Sequence, residues 1–282
     1  MKRAAVLCAL VLAGCGSSST GGGGVTVPKV QPAAQFALAN FTPTGTVKPG
    51  NPVTVSFSIK MPDGKTLTSF RGGPGPHTGV HLIIVRDDLG EIIHQHPPVE
   101  PSGVFTQRVT FPAPGPYKVL VDIYPKLPGV LPNFQLFDNI NVKGAYHPIK
   151  LPPYAPNLDI DGYHFHMLPH PAVHAIQAQF LRIDVTSPQG KPVTFVPWFG
   201  ALAHAIFFHE GSLDYFHTHI CAPNAPNCGS LAGVPITRVT GHATPGKLTV
   251  GVLLALPGTW RLFLQMRQGS KIITAPYTLS VK

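Results

Sequence analysis

Two sets of three histidines recur in this chain at the same spacing, and each set could bind a metal ion. The six residues are His81, His94 and His96 in the first set and His204, His217 and His219 in the second. In each set the first two histidines are 13 positions apart and the last two are two positions apart, although the residues between them differ almost completely. The repeated spacing predicts a three-histidine metal site on each of two related β domains.

A β-hairpin would bring each set together. Residues two apart on a strand share a face, about 6.6–6.8 Å apart. A turn centred on Asp88-Leu89 pairs position 81 with 96, and a turn centred on Gly211-Ser212 pairs position 204 with 219. Opposed residues have Cβ atoms about 4.5–5.5 Å apart, so three imidazoles could reach one ion with bonds of about 2.0–2.1 Å. A one-residue bulge, for which Gly90 is the candidate position, would turn the first histidine to the other face.

Ligation by nitrogen alone suits Cu(II) or Zn(II), and the usual affinity order favours copper. The cysteine nearest to either set, Cys221, is predicted to form a disulfide, and the methionines after Met1 are Met61, Met167 and Met266. A blue-copper site and a methionine-rich Cu(I) site are therefore poorly supported. The alternative, in which the histidines are hydrogen-bonded packing residues, stays open.

A second group of histidines lies early in the second half of the chain. Its members are His164, His166, His170 and His174. His164 and His166 would share a strand face, but the group has no counterpart in the first half. We expect an exposed histidine-rich edge here in preference to a ligand set.

The N-terminus predicts export and a lipid anchor. A short basic start and the apolar run 4–13 are typical of a signal peptide and too short for a permanent membrane span. Leu12-Ala13-Gly14-Cys15 resembles the bacterial lipobox, which implies a signal peptide at 1–14, lipidation of Cys15 and a Gly/Ser-rich tether over 15–35. The chain would then lie outside the cytoplasm, in the periplasm or at the cell surface. In that oxidising setting, Cys221 and Cys228 are predicted to form a disulfide that closes a loop.

The composition favours short strands and excludes some functions. The 32 Pro and 29 Gly interrupt helices and suit strands joined by turns. The net charge of +9 comes from scattered Lys and Arg without a basic run, so we expect no nucleic-acid binding. An anionic membrane surface or simple solvation would suit such a charge.

Alternation of apolar and polar residues recurs in the same order in both halves. Strands predicted at 53–59, 104–111 and 117–124 have counterparts at 178–185, 248–254 and 260–265, with a Pro-Gly turn before the last of each series. We predict an all-β protein of two tandem immunoglobulin-like, Greek-key β-sandwich domains at 36–144 and 158–282, joined by a proline-rich linker at 145–157. The second domain carries an insertion of about 20 residues after His219.

The first hairpin and the strand after it carry a family resemblance. The run from His81 through Arg86-Asp87-Asp88-Leu89 to His94-Gln95-His96-Pro97, followed by the stretch 111–117, resembles YtkA-like exported bacterial β domains. The second copy is similar at His204, at His217-Thr218-His219 and at 256–261, but departs at Cys221. The resemblance implies an immunoglobulin-like fold and a role in handling copper or another heavy metal.

Together these features predict a membrane-anchored extracytoplasmic lipoprotein that binds copper or zinc, in metal buffering, delivery or sensing, with a metal-handling protein as a candidate partner. The alternative is a non-catalytic cell-surface scaffold or interaction module. We do not expect an enzyme, because Glu91, Glu210 and Asp214 do not place a carboxylate base at matching positions of the two sets. If one set alone binds metal, the second is favoured.

Overall fold

Strands and loops, without a helix, make up the part of the chain described by the computed structural model. That part comprises residues 35–43, 45–71, 79–128, 133–168, 172–221, 230–231, 234–235 and 241–282. Residues 34–282 form one compact unit. The predicted signal peptide, Cys15 and nearly all of the predicted tether lie outside the described residues. A search of the described residues finds no helix suited to crossing a membrane.

The first half is a sandwich of two antiparallel sheets. Within the described residues its strands are β1 (Ala37–Thr42), β2 (Pro52–Lys60), β3 (Val80–Arg86), β4 (Ile92–Gln95), β5 (Val104–Thr110), β6 (Gly115–Ile123) and β7 (Phe134–Val142). One sheet has the order β1-β2-β5 and the other β4-β3-β6-β7. Consecutive strands cross between the sheets after β2, β4 and β5, as in a Greek key.

The second half repeats this plan with additions. Its strands are β8 (Asn157–Ile160), β9 (Tyr163–Leu168), β10 (Gln179–Thr186), β11 (Ala201–His209), β12 (Tyr215–Cys221), β13 (Ser230–Leu231), β14 (Val234–Pro235), β15 (Gly241–Thr244), β16 (Lys247–Val252), β17 (Gly258–Gln268) and β18 (Lys271–Val281). β15 pairs with both β12 and β16. The two layers are thereby joined into one sheet of nine strands, in the order β18-β17-β11-β12-β15-β16-β10-β9-β8.

The predicted fold class, all-β with immunoglobulin-like sandwiches, is confirmed. The strand predicted at 53–59 is β2, and its counterpart at 178–185 is β10. A shared detail ties the halves together: the Tyr117 hydroxyl donates to the carbonyl of Ala113, and the Trp260 indole donates to that of Leu256, both at 2.9 Å and four residues upstream. Such a bond at the start of this strand is the tyrosine corner of immunoglobulin-like domains, with tryptophan in its place in the second half.

The central strands β3 and β11 are apolar on both faces. On β3, Val80, Leu82 and Ile84 belong to the core of the first sandwich. Side chains alternate between the faces of a strand, so His81, Ile83 and Val85 point the other way, yet they are also buried. β11 is buried over all but its last residue in the same manner.

The second buried face of each central strand packs against the other half. A separate hydrophobic cluster combines both halves and consists of Ile83, Val85, Leu89, Leu120, Leu151, Ile206, Phe208 and Phe263. Leu151 comes from the proline-rich linker. The same linker is tied to the first hairpin, because the Ile149 amide donates to Asp88 Oδ2 at 2.9 Å. The linker is therefore part of the packing between the halves.

Candidate metal centre

The two hairpins have the predicted registers. In the second, His204 is paired with His219 and Ile206 with His217. In the first, Leu82 is paired with Gln95, the same register that aligns His81 with His96 just beyond the end of β4. Four-residue turns close both hairpins, through Arg86 with Glu91 and His209 with Asp214. No bulge interrupts the described ladder of the first hairpin, so Gly90 leaves its register intact.

The six histidines form one cluster between the two halves, whereas the sequence predicted a separate site on each. Ring centroids of His81 and His217 are 5.1 Å apart, and those of His94 and His204 are 4.9 Å apart. Within the hairpins, His81 lies 4.4 Å from His96, and His217 lies 4.4 Å from His219. The physical reason is the packing of β3 against β11, since the face that carries the histidines is the face that meets the other half.

Three sets of side chains among the described residues have candidate ligand atoms within 4.8 Å of one another. The sets are His94, His96 and His204; His204, His217 and His219; and His81, Asp122 and His217. The second set is one of the two predicted triads. The residues of the other predicted triad are divided between the two remaining sets, and both of these combine the halves.

Three acceptors around the cluster each hold one histidine nitrogen. Asp122 Oδ2 lies 3.4 Å from His81 Nδ1, and the Trp198 carbonyl lies 2.9 Å from His204 Nε2. Gln265 Oε1 lies 3.1 Å from His94 Nδ1, while its Nε2 donates to Thr274 and so orients the amide. A carboxylate and a carbonyl only accept hydrogen bonds, so these imidazole nitrogens are the protonated ones. The opposite nitrogen of each ring then keeps its lone pair.

Those lone-pair nitrogens lie next to other histidines. His94 Nε2 is 3.0 Å from His96 Nε2, and His204 Nδ1 is 3.3 Å from His217 Nε2. In the metal-free protein the second nitrogen of each pair donates to the first. His217 Nδ1 is then a lone-pair nitrogen, buried and without a hydrogen-bond partner among the described residues. The cluster thus contains imidazole nitrogens in the state that metal coordination needs.

Burial keeps His204 and His217 neutral. His204 is fully buried, and desolvation lowers its pKa to about 3, with a further lowering by His81 that the bond to the Trp198 carbonyl opposes. The pKa of His217 lies well below 6.5, first because of desolvation and then because His219, His81, His94 and His204 surround it. A neutral imidazole is the form that ligates metals.

An aromatic pair from the loop before β11 covers the cluster. Phe199 stacks on His96 with centroids 3.8 Å apart and rings 8° from parallel. Trp198 lies 5.4 Å from His94 and 5.0 Å from His204, in both cases edge to face. Phe199 adopts a positive φ of 47°, an unusual conformation for a residue other than glycine. The two rings thus lie against three of the clustered histidines.

Sequence reasoning missed Asp122, Gln265 and Trp198. Asp122 is opposite His81 on β6, and Gln265 occupies the same position opposite His204 on β17. Each is a polar residue inside an apolar strand, and that was the available signal. Trp198 acts through its backbone carbonyl, which no residue type reveals.

Other predicted residues lie apart from the cluster. His164 and His166 are exposed on β9, where they contact Asp159 and Asn157. β9 pairs with both β8 and β10, so the exposed feature is a sheet face and not the predicted edge. His174 is partly buried in the segment before β10, and His170 lies outside the described residues. Cys221 ends β12 and is disulfide-bonded, but Cys228 lies outside the described residues, so their pairing stays a prediction.

Fold and site together define a protein of two immunoglobulin-like sandwiches that share a buried histidine cluster. The chain belongs to the family described as a domain of unknown function, DUF8832, whose profile matches residues 35–128 and 158–282. The matched segments include all six clustered histidines. The similarity to YtkA-like domains stays a prediction. A search of curated proteins finds no match.

Some solved structures match this chain at low identity and low TM-score. An alpha-2-macroglobulin from Salmonella is 14% identical at a TM-score of 0.28, and the match covers 88% of this chain and 14% of that one. A chimeric titin Z1Z2 is 13% identical at a TM-score of 0.23, covering 89% of this chain and 99% of that one. Invasin, a bacterial integrin-binding protein, is 13% identical at a TM-score of 0.22, covering 88% of this chain and 38% of that one. Scores this low carry no argument about function.

Proposed function

We propose that this protein binds one divalent transition-metal ion at the histidine cluster between its two halves. The observation that carries the proposal is the convergence of six histidines from two hairpins on one buried place, with ligand atoms of both halves in the same sets. One buried histidine is commonly a packing residue. Six that meet across an interface, where apolar residues would pack equally well, favour a ligand set.

The nitrogen separations fit a shared ion. Two nitrogens bound at about 2.0–2.1 Å to one ion lie about 2.9 Å apart at a right angle and about 3.3 Å apart at a tetrahedral angle. The observed separations are 3.0 Å for His94 and His96, and 3.3 Å for His204 and His217. The imidazoles therefore already stand at distances that coordination would require.

Unsatisfied polar atoms at the cluster support the same proposal. His217 Nδ1 and the Tyr215 hydroxyl are buried, and neither has a hydrogen-bond partner among the described residues. Leaving such a group unpaired costs about 1–3 kcal/mol. A polar group that enters the cluster with the ion, such as a water ligand, would pair with them and offset that cost.

Imidazole nitrogen ligands favour copper or zinc, with copper preferred. We place the protein outside the cytoplasm, held to a bacterial membrane by a lipid on Cys15, where it buffers, delivers or senses the metal without catalysing a reaction. A metal-handling protein would be its partner. These assignments are supported by the N-terminal signal pattern and by a ligand cluster that is buried beneath Trp198 and Phe199.

Titration with Cu(II) and Zn(II) tests the proposal. Trp198 lies beside the cluster and Trp260 is in the core of the second half, so Cu(II) binding should quench the fluorescence of Trp198, and Trp198→Phe should remove most of the response. Calorimetry should give one ion per chain. Changing His94 and His96 to Ala, or His217 and His219 to Ala, should each abolish that binding.

Two other outcomes would reject the proposal in different ways. Binding of two ions, of which each double variant removes one, would restore the two separate sites that the sequence predicted. Absence of binding by the parent chain would favour the scaffold alternative, in which the histidine pairs at 3.0 and 3.3 Å are structural hydrogen bonds.

A further inference from the structure

One of the three candidate ligand sets contains a carboxylate, which is Asp122. It lies on β6 directly opposite His81, and 2% of its surface is exposed. A buried carboxylate is costly unless it is well hydrogen-bonded, so its surroundings reveal its role.

Four donors among the described residues surround this carboxylate. Asn133 Nδ2 and Gln135 Nε2 donate to Oδ1 at 2.8 and 2.9 Å. His81 Nδ1 and the Tyr124 hydroxyl lie 3.4 Å from Oδ2. Because an ionised carboxylate has about four acceptor sites, these contacts occupy it fully and leave little capacity for direct coordination of a metal.

We infer that Asp122 is a positioning residue of the metal site, acting through His81. It holds the His81 imidazole with the proton on Nδ1 and so presents the Nε2 lone pair to the cluster. Its charge also offsets part of the charge of a bound divalent ion. This role rests on the proposed function and extends it. Through Asp122, the first half of the chain supplies the negative charge of the shared site.

The second half contains a built-in comparison. Gln265 has the position of Asp122, opposite the first histidine of its own hairpin, but it is neutral and its Oε1 contacts His94 of the first half. Gln265→Glu would place a second carboxylate beside His94 Nδ1, and the Thr274 hydroxyl, now the acceptor of the amide, can donate to it. The two positions therefore allow loss and gain of charge to be tested in the same fold.

The experiment measures Zn(II) dissociation constants of the full-length chain by competition with a chelating dye. Asp122→Asn should weaken binding by about 10–100-fold, as loss of a carboxylate behind a histidine ligand typically does. Gln265→Glu should strengthen it by about 10-fold. Asp138→Asn, which removes the same charge from the adjacent strand β7 opposite Val119, should leave it unchanged.

A direct readout of the His81 proton separates positioning from general support of the fold. Long-range ¹⁵N–¹H correlation on the metal-free parent should show His81 protonated on Nδ1, and Asp122→Asn should shift the ring toward the other tautomer. A proton on Nε2 in the parent would contradict the inference even if Asp122→Asn failed to fold.

The two proposals fail differently. A parent that does not bind metal overturns the proposed function and this role together. A parent that binds, with an affinity unchanged by Asp122→Asn and not raised by Gln265→Glu, overturns the role of Asp122 and leaves the metal site standing.

Discussion

The two halves of this protein have the same order of paired strands and the same histidine hairpin, yet they contribute different parts to one histidine cluster. The first half supplies the carboxylate Asp122, while the second half supplies the neutral Gln265 at the equivalent position. The second half also supplies the Trp198 carbonyl and the Phe199 ring that cover the cluster. Two copies of a repeated motif can therefore form one composite cluster, in which each copy contributes different residues.

The packing between the halves explains how the two sets of histidines come together. Each central strand is apolar on both faces, so one face closes its own sandwich and the other meets the partner half. Histidines on that second face are buried and contact histidines of the other half. Any change that separates the halves should therefore disrupt the histidine cluster. A change in one hairpin should also alter the surroundings of the histidines in the other.

The largest expected effect comes from His204→Ala. His204 belongs to two of the three ligand sets, and its Nδ1 lies 3.3 Å from His217 Nε2. We expect metal binding to fall below detection in calorimetry with Zn(II). Changing the exposed His164 and His166 to Ala should leave binding intact. If His204→Ala kept a tightly bound ion on the first-half histidines, the halves would hold separate sites.

A cavity between the halves should have the next largest effect. Phe208 packs in the cluster that joins the halves, whereas its neighbour Phe207 packs in the core of the second half alone. Replacement of either by Ala should lower the free energy of unfolding by about 3–5 kcal/mol in urea titrations. Phe208→Ala should also weaken Zn(II) affinity by about 10-fold. Equal affinities of the two variants would argue against a site that depends on the interface.

Acid should destabilise the metal-free protein through its buried histidines. The pKa of His204 is about 3 in the folded chain, whereas its ordinary value, which applies to the unfolded chain, is 6.5. As the pH falls, the unfolded state therefore takes up the proton first. Stability is full above pH 6.5 and is lost toward pH 3, by about 1.4 kcal/mol per unit for each such group. When the pH is lowered from about 7.5 to about 5.0, the free energy of unfolding of His204→Gln should fall by about 2 kcal/mol less than that of the parent. Urea titrations of protein freed of metal by a chelator would measure this. Equal losses of unfolding free energy in the two proteins would contradict the conclusion that His204 is neutral in the folded chain.

The smallest effect concerns two buried hydroxyls, one in each half. Tyr117 donates to the Ala113 carbonyl, while the Tyr277 hydroxyl has no hydrogen-bond partner among the described residues. Tyr117→Phe should cost about 1 kcal/mol of unfolding free energy, and Tyr277→Phe should be neutral or slightly stabilising. Thermal unfolding followed by circular dichroism would measure both. A larger loss for Tyr277→Phe would show that its hydroxyl is paired after all.

Local pattern was enough to predict many of the strands and both hairpin registers. Alternating runs such as 53–59 became β2, and the histidine spacing in each copy correctly implied its turn, because side chains alternate strictly along a strand. β15 was not predicted, because Gly241–Thr244 is too short for a pattern to stand out. Asp122 was visible as a carboxylate within an apolar strand, but its partner His81 lies 41 positions away.

Sequence by itself determined that each half is a β-sandwich and that three histidines of each hairpin share one face. It did not determine where those faces lie, because a strand that is apolar on both sides has the same pattern whether its second face meets a helix, a membrane or another domain. The tertiary structure decided that β3 and β11 face each other, and that contact places six histidines, Asp122 and Gln265 in one cluster. The reason is physical: alternation is a property of neighbouring residues, whereas the joining of two sites depends on residues far apart in the chain, such as His94 and His204, which are 110 positions apart.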